Sequence, residues 1–155
     1  VPGSTDLWAV SVHLRGSGAG ARQAEATQLM ALFDANVPDG DFLVLGGDFN
    51  TDDRKEACLT VLDPLFDITG PYPVDQNNLD TTSGNRSKPY DWVLADDQLD
   101  PLEVPVVLDT TTFANGAVID TRVYLPLSDI APAQMGDSAA FGMQHMAVIK
   151  DFLVE

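Results

Sequence analysis

Phe42-Leu43-Val44-Leu45-Gly46-Gly47-Asp48-Phe49-Asn50 decides how this chain is read. Its first four residues form a continuous apolar run, which suits a strand covered on both faces. The rest, Gly, Asp and Asn around a phenylalanine, reads as the turn that closes the strand. Upstream, Pro38-Asp39-Gly40 is a turn. Arg22 to Asn36 contains neither Pro nor Gly and sets Leu29, Leu32 and Phe33 at the spacing of a buried helical stripe. Gly16-Ser17-Gly18-Ala19-Gly20 is a flexible connection, and before it Asp6 to His13 alternates as a strand with His13 at its far end. Strand, helix and strand at these lengths predict one crossover unit of an α/β layered fold.

Downstream, Arg54 to Leu62 is expected as a shorter helix, ended by Asp63-Pro64. From Gly70 to Pro89 the composition turns to Pro, Asn, Asp, Thr and Ser, which predicts a long surface loop. Tyr90 to Ala95, Val104 to Leu108 and His145 to Val154 are strand candidates, with mostly irregular chain between Asp109 and Gly142. No repeat or linker divides residues 1–155, which read as a single unit.

The 155 residues are 45% apolar and 21% charged, enough to bury a core and too apolar for a disordered tail. Twenty-four acidic side chains face eight basic ones, for a net charge of −16. Such a surface repels phosphate backbones and anionic membranes, so tight binding to duplex nucleic acid is not expected. Apolar runs are too short for a membrane span. The single cysteine, Cys58, rules out an internal disulfide framework and reads as a small buried apolar residue. The chain opens Val1-Pro2-Gly3 with no signal-like pattern, which suggests a processed product or an excised piece.

Polar residues of catalytic type stand at strand ends in four places, where α/β folds commonly assemble sites. His13 ends the first strand. Asp48 and Asn50, two apart after the buried strand, would project together as a base and a hydrogen-bond donor, with Gly46 and Gly47 letting another chain or a ligand approach. Asp91 opens the Tyr90 strand, where an Asp is a cap or the orienting partner of a histidine. Gln144-His145 leads into the last strand. Arg86 and Lys88 are two of the eight basic residues and sit together in the Thr81–Lys88 loop, where they are candidates for contacting a substrate phosphate. Asp96-Asp97-Gln98-Leu99-Asp100 lacks the spacing and glycine of an EF-hand and reads as a turn.

Taken in order, Val12-His13-Leu14-Arg15-Gly16, the Arg22–Met30 helix, the Gly46–Asn50 turn, the Tyr90–Ala95 strand and the His145 strand resemble the endonuclease/exonuclease/phosphatase family. This is the deoxyribonuclease-like group that includes sphingomyelinase and inositol polyphosphate phosphatase. The resemblance runs from Leu7 onward and covers the C-terminal half of that domain. It implies part of a four-layer α/β sandwich, with mixed sheets flanked by helices, and metal-dependent hydrolysis of phosphodiester or phosphomonoester bonds. By the same resemblance Asp48 would orient or deprotonate water, and Asn50 would fix Asp48 and the phosphate. His145 would stabilise the phosphorus centre with Asp91 behind it, and His13 would contact the phosphate or assist the leaving oxygen.

Two positions depart from the family pattern. Gln144 stands where the family has a metal-ligating Asp, and a neutral amide is a poorer ligand for a hard cation. The family's main metal-binding Glu and its partner Asn belong to a half that precedes the His13 strand. Magnesium or manganese is therefore expected of the complete domain, and this chain by itself is expected to be weak or inactive. A non-catalytic binding domain on the same scaffold is the alternative. A sheet face left bare by the missing half would be covered by self-association or by pairing with that half. A secreted acidic calcium-binding protein is a third reading, resting on Asp content alone.

Overall fold

A computed structural model describes residues 5–154. The first strand, β1 (Leu7–His13), is followed by helix α1 (Ala19–Asn36) and strand β2 (Phe42–Asp48). β1 and β2 lie parallel, in register from Leu7 opposite Phe42 to His13 opposite Asp48, so α1 is the crossover. A second helix, α2 (Ala57–Leu62), and strand β3 (Asp91–Ala95) follow. β3 runs antiparallel on the other side of β2, which makes a mixed sheet in the order β1-β2-β3.

Alternation along a strand assigns the two faces of this sheet. Val10, Val12, Leu43, Leu45, Trp92 and Leu94 form the face that packs on α1 and α2. Phe33 of α1 meets Phe66, just beyond α2, edge to face at 5.7 Å. The stripe α1 buries differs from the expected one: Arg22, Ala26 and Phe33 are buried, with Leu29 and Met30 beside them, while Leu32 is 57% exposed. Positions 22, 26, 29, 30 and 33 follow the helical period, and Leu32 lies off that line. Arg22 is buried because Glu56 meets it with two bonds, Nε to Oε2 at 2.9 Å and Nη2 to Oε1 at 2.7 Å.

The opposite face carries Leu7, Ala9, Phe42, Val44 and Val93, none of them fully buried. β2 is thus fully covered on one face and half covered on the other, which corrects the expectation of a strand buried on both. α2 also starts three residues later than Arg54, because Asp53 Oδ1 accepts from the Lys55 amide and Glu56 Oε1 from the Asp52 amide. Those side chains satisfy backbone groups that a longer helix would have used.

The remaining strands are short: β4 (Glu103–Val104), β5 (Val106–Leu108), β6 (Thr111–Phe113), β7 (Ala117–Ile119), β8 (Ala147–Ile149) and β9 (Asp151–Phe152). They pair antiparallel as β4-β9, β5-β6 and β7-β8. The stretch expected as one strand from Val104 to Leu108 is split at Pro105, which has no amide to donate. The last strand is likewise divided at Lys150, whose Nζ bonds Glu103 Oε2 at 2.7 Å. The 109–142 region, expected to be irregular, supplies β6 and β7. Val106, Phe113, Ala117 and Tyr124 form a second, smaller core there. β8 packs against β3 without joining its ladder. No helix among the described residues is long and apolar enough to cross a membrane.

Candidate active site at one end of the mixed sheet

Strand register builds the site. His13, Asp48 and Asp91 are direct neighbours across β1, β2 and β3, so all three side chains leave the same end of the sheet on one face. That face is the one turned away from α1 and α2. His145 comes from the chain before β8 and bridges to Ser83. Its Nδ1 lies 3.1 Å from both carboxylate oxygens of Asp91, and its Nε2 lies 3.6 Å from Asp48 Oδ2. His13 Nε2 approaches the same Asp48 oxygen at 3.3 Å. One carboxylate therefore sits between two imidazoles, one of them backed by a second carboxylate.

Asn50 locks Asp48. Its amide donates to Asp48 Oδ1 at 2.8 Å, and its Nδ2 donates to Asp48 Oδ2 at 3.1 Å and to Leu14 O at 2.9 Å. The geometry puts Asn50 at φ 53, a left-handed conformation that Asn tolerates better than most residues. The glycines before it have a structural explanation. A Cβ on Gly47 would lie 2.0 Å from Val12 O, at φ 135, so it is the chain's own β1 that passes close to the backbone.

The four groups differ in exposure. The side chains of Asp48 and Asp91 are 14% and 16% exposed, His145 is 35% exposed, and His13 at the mouth is 75% exposed. Burial raises the Asp91 carboxyl above its ordinary range, while Thr82 and His145 pull it back. His13, Asp48 and His145, with Asn50, Ser83, Tyr90 and Met143, line an open cleft of about 570 Å³, and Asp91 stands behind His145 outside its lining.

Arg86, expected as an exposed candidate for a phosphate, is instead held inside the protein and does not line the cleft. Its side chain is 9% exposed and points into the protein, donating Nε to Thr81 O at 2.6 Å, Nη2 to Leu79 O at 3.0 Å and Nη1 to Asp120 Oδ2 at 2.7 Å. Nη1 also pairs with Asp75 at 2.7 Å. Lys88 does line the cleft, but its ammonium is paired with Asp52. Arg54, stacked over Tyr72 and Trp92, holds Asp80, so the Gly70–Pro89 segment is anchored along much of its length. Cys58 is fully buried and its thiol is pushed up to about 11 by burial, which leaves it unreactive.

Sequence reasoning missed Thr82. Its Oγ1 accepts from the Asp91 amide at 2.7 Å, and its carbonyl accepts from the Met146 amide at 2.7 Å. One residue thereby ties the β3 strand that carries Asp91 to the segment before β8 that carries His145. A Thr in a polar loop gives no sequence signal of that role.

Asp48, Asp91 and His145 each offer a ligand atom within 4.8 Å of the others. Asp48 and Asp91 are the two carboxylates of that set that could hold magnesium or manganese. Both Asp91 oxygens face His145, Asp48 Oδ2 already accepts from Asn50, and Gln144 is exposed and supplies only a neutral amide. Magnesium is usually held by one or two carboxylates with several waters, and here both candidate carboxylates already serve neighbours within the protein. Compared with protein families, with curated proteins and with solved structures, the chain matches none.

Proposed function

We propose that this cleft belongs to a phosphoesterase-type domain of the endonuclease/exonuclease/phosphatase kind, acting on phosphodiester or phosphomonoester bonds. One observation carries the reading: Asp91, His145, Asp48 and Asn50 form a continuous polar line that reaches the cleft at His145, although they come from distant parts of the sequence. Asp91 fixes the imidazole through Nδ1, which leaves Nε2 facing the cleft, where an Nε2–H would donate to a phosphoryl oxygen and stabilise the charge that builds on it. Asp48, held by Asn50, accepts the proton of the attacking water as its oxygen bonds to phosphorus. His13, at the mouth, would contact the phosphate or give a proton to the departing oxygen. No step here passes through a metal, and the net charge of −16 opposes an anionic substrate. The chain alone is therefore a weak catalyst. A complete domain would add an oxygen-ligated magnesium or manganese through a carboxylate supplied by other chain.

The same reading proposes the four-layer sandwich. A second sheet would cover the half-bare face that carries Leu7, Ala9, Phe42 and Val44, and would come from a second copy or from a segment bearing the family's Glu. Sedimentation at high concentration tests the first option, and a strict monomer would remove it. The alternative, a non-catalytic binding domain, is favoured by the way Asp48 and Asp91 are satisfied by neighbours within the protein. An activated phosphodiester with manganese, with and without chelator, separates the two functions. Chelator-sensitive turnover that is lost in Asp48→Ala and in His145→Ala supports the hydrolase. Turnover indistinguishable between those variants and the parent chain leaves the binding domain.

A further inference from the structure

Asp120 and Arg122 lie outside the cleft and take no part in the chemistry above. Asp120 is 2% exposed and receives two arginines. Arg122 grips it with two bonds, Nε to Oδ1 at 2.7 Å and Nη2 to Oδ2 at 2.6 Å. This fork-to-fork geometry fixes the plane and direction of the guanidinium. Its remaining nitrogen, Nη1, donates to Gly84 O at 2.9 Å, and Nη2 also reaches Met146 Sδ at 3.7 Å. Burial raises the Asp120 carboxyl, but the bonds from Arg122 and Arg86 outweigh it and hold the group at about 2.

Gly84 connects this clamp to the site. Its amide donates to Gln144 O at 2.7 Å, and the Met146 amide donates to Thr82 O at 2.7 Å. The residues on either side of His145 are thus both hydrogen-bonded to the Thr82–Gly84 segment. The same segment holds the Asp91 amide through Thr82 Oγ1. The approach leaves no room for a side chain, because a Cβ on Gly84 would lie 2.7 Å from Met143 O. The distance between Asp91 and His145 is therefore set by a short loop, and that loop is pressed into place from behind by Arg122.

We infer that Arg122, locked by Asp120, is a positioning residue that holds the imidazole of His145 against Asp91 by way of Gly84. As a statement about turnover this rests on the hydrolytic reading above; as a statement about the geometry of His145 it does not. The test uses Arg122→Ala and Arg122→Lys, read by the low-field proton on His145 Nδ1 in NMR and by steady-state kinetics. Arg122→Ala should lose or shift that resonance and lower kcat about 10- to 100-fold with KM little changed, because displacing a catalytic group costs rate more than affinity. Arg122→Lys should recover part of both, since an ammonium still pairs with Asp120 but cannot hold it through a fork. A folded Arg122→Ala protein with the parental Nδ1 signal overturns the inference, as does one that changes KM alone. If Arg122→Ala does not fold, Arg122→Lys decides by the same signal: a parental resonance refutes, a shifted one supports. If the parent chain turns over too slowly to measure, as expected of a chain without the family's metal ligand, the NMR comparison alone judges the clamp: a parental Nδ1 signal refutes it and a lost or shifted one supports it.

Discussion

Replacing Arg86 by Met separates a structural clamp from a substrate contact. Methionine keeps much of the aliphatic stem and removes the charge. The change strands Asp75, whose side chain is 3% exposed, without its cation, while Asp120 keeps Arg122. Two carbonyls, of Leu79 and Thr81, also lose a donor. Breaking a buried ion pair by removing one partner costs about 3–5 kcal/mol. For a domain of this size each kcal/mol lowers Tm by roughly 2–4 °C, so the melt should fall by roughly 6–20 °C. Urea and thermal melts read this directly, and a pH series sharpens the result. The Asp120 carboxyl is held at about 2, below its usual 3.8, so its contribution is complete above about pH 4 and disappears as the pH falls toward 2. Arg86 supplies part of that lowering, so acid removes from the parent chain a contribution that the variant never had in full. The gap between the two proteins should narrow below pH 4. A loss under about 1 kcal/mol at pH 7, or a gap constant from pH 7 to pH 3, would refute this account. A melting curve left unchanged together with weaker substrate binding would return Arg86 to the role first read from its sequence.

Two more outcomes follow from the site. Because burial raises the Asp91 carboxyl, the acid limb of the pH–rate profile should lie above the ordinary carboxylate range, with activity lost as the pH drops and Asp91 is protonated. Asp91→Asn should abolish that limb, and a limb unmoved in the variant would assign it to another group. Gly47→Ala would place a Cβ 2.0 Å from Val12 O and should split β1 from β2, read as a melt lowered by several kcal/mol or an unfolded chain; a near-parental melt would mean that the strands are not so closely apposed.

Much of the mixed sheet was legible because its signals are local. A continuous apolar run and an uninterrupted helix need no partner to be recognised, and they locate α1 and β2 within a few residues, whereas Gly46, Gly47 and Asp48, read as a turn, continue β2 between its two neighbours. The candidate residues His13, Asp48, Asp91 and His145 were legible as polar residues at strand ends. What the sequence did not disclose is pairing at long range. Strands of two or three residues such as β6 and β7 carry too little alternation to be recognised, and exist because β5 and β8 lie beside them. The partners of Arg86 stayed hidden for the same reason. A basic residue in a polar loop of an acidic chain looks free, and only the fold brings Asp75 and Asp120 against it.

The same long-range ties bear on how such a site holds its geometry. β3 and β8 share no ladder, so nothing in the sheet fixes Asp91 relative to His145. The loop between α2 and β3 does so instead, through Thr82 Oγ1, Thr82 O and the amide of Gly84. Such a loop would ordinarily be among the more mobile parts of a domain. Here buried charge restrains it: Arg86 from inside the loop and Arg122 from outside meet on one carboxylate, Asp120. An apolar cluster of the same size would be at least as stable, since buried ion pairs seldom gain much over hydrophobic packing. What the ionic pair adds is direction. Each guanidinium places its donors on named carbonyls, Thr81, Leu79 and Gly84, and non-directional packing cannot specify those contacts.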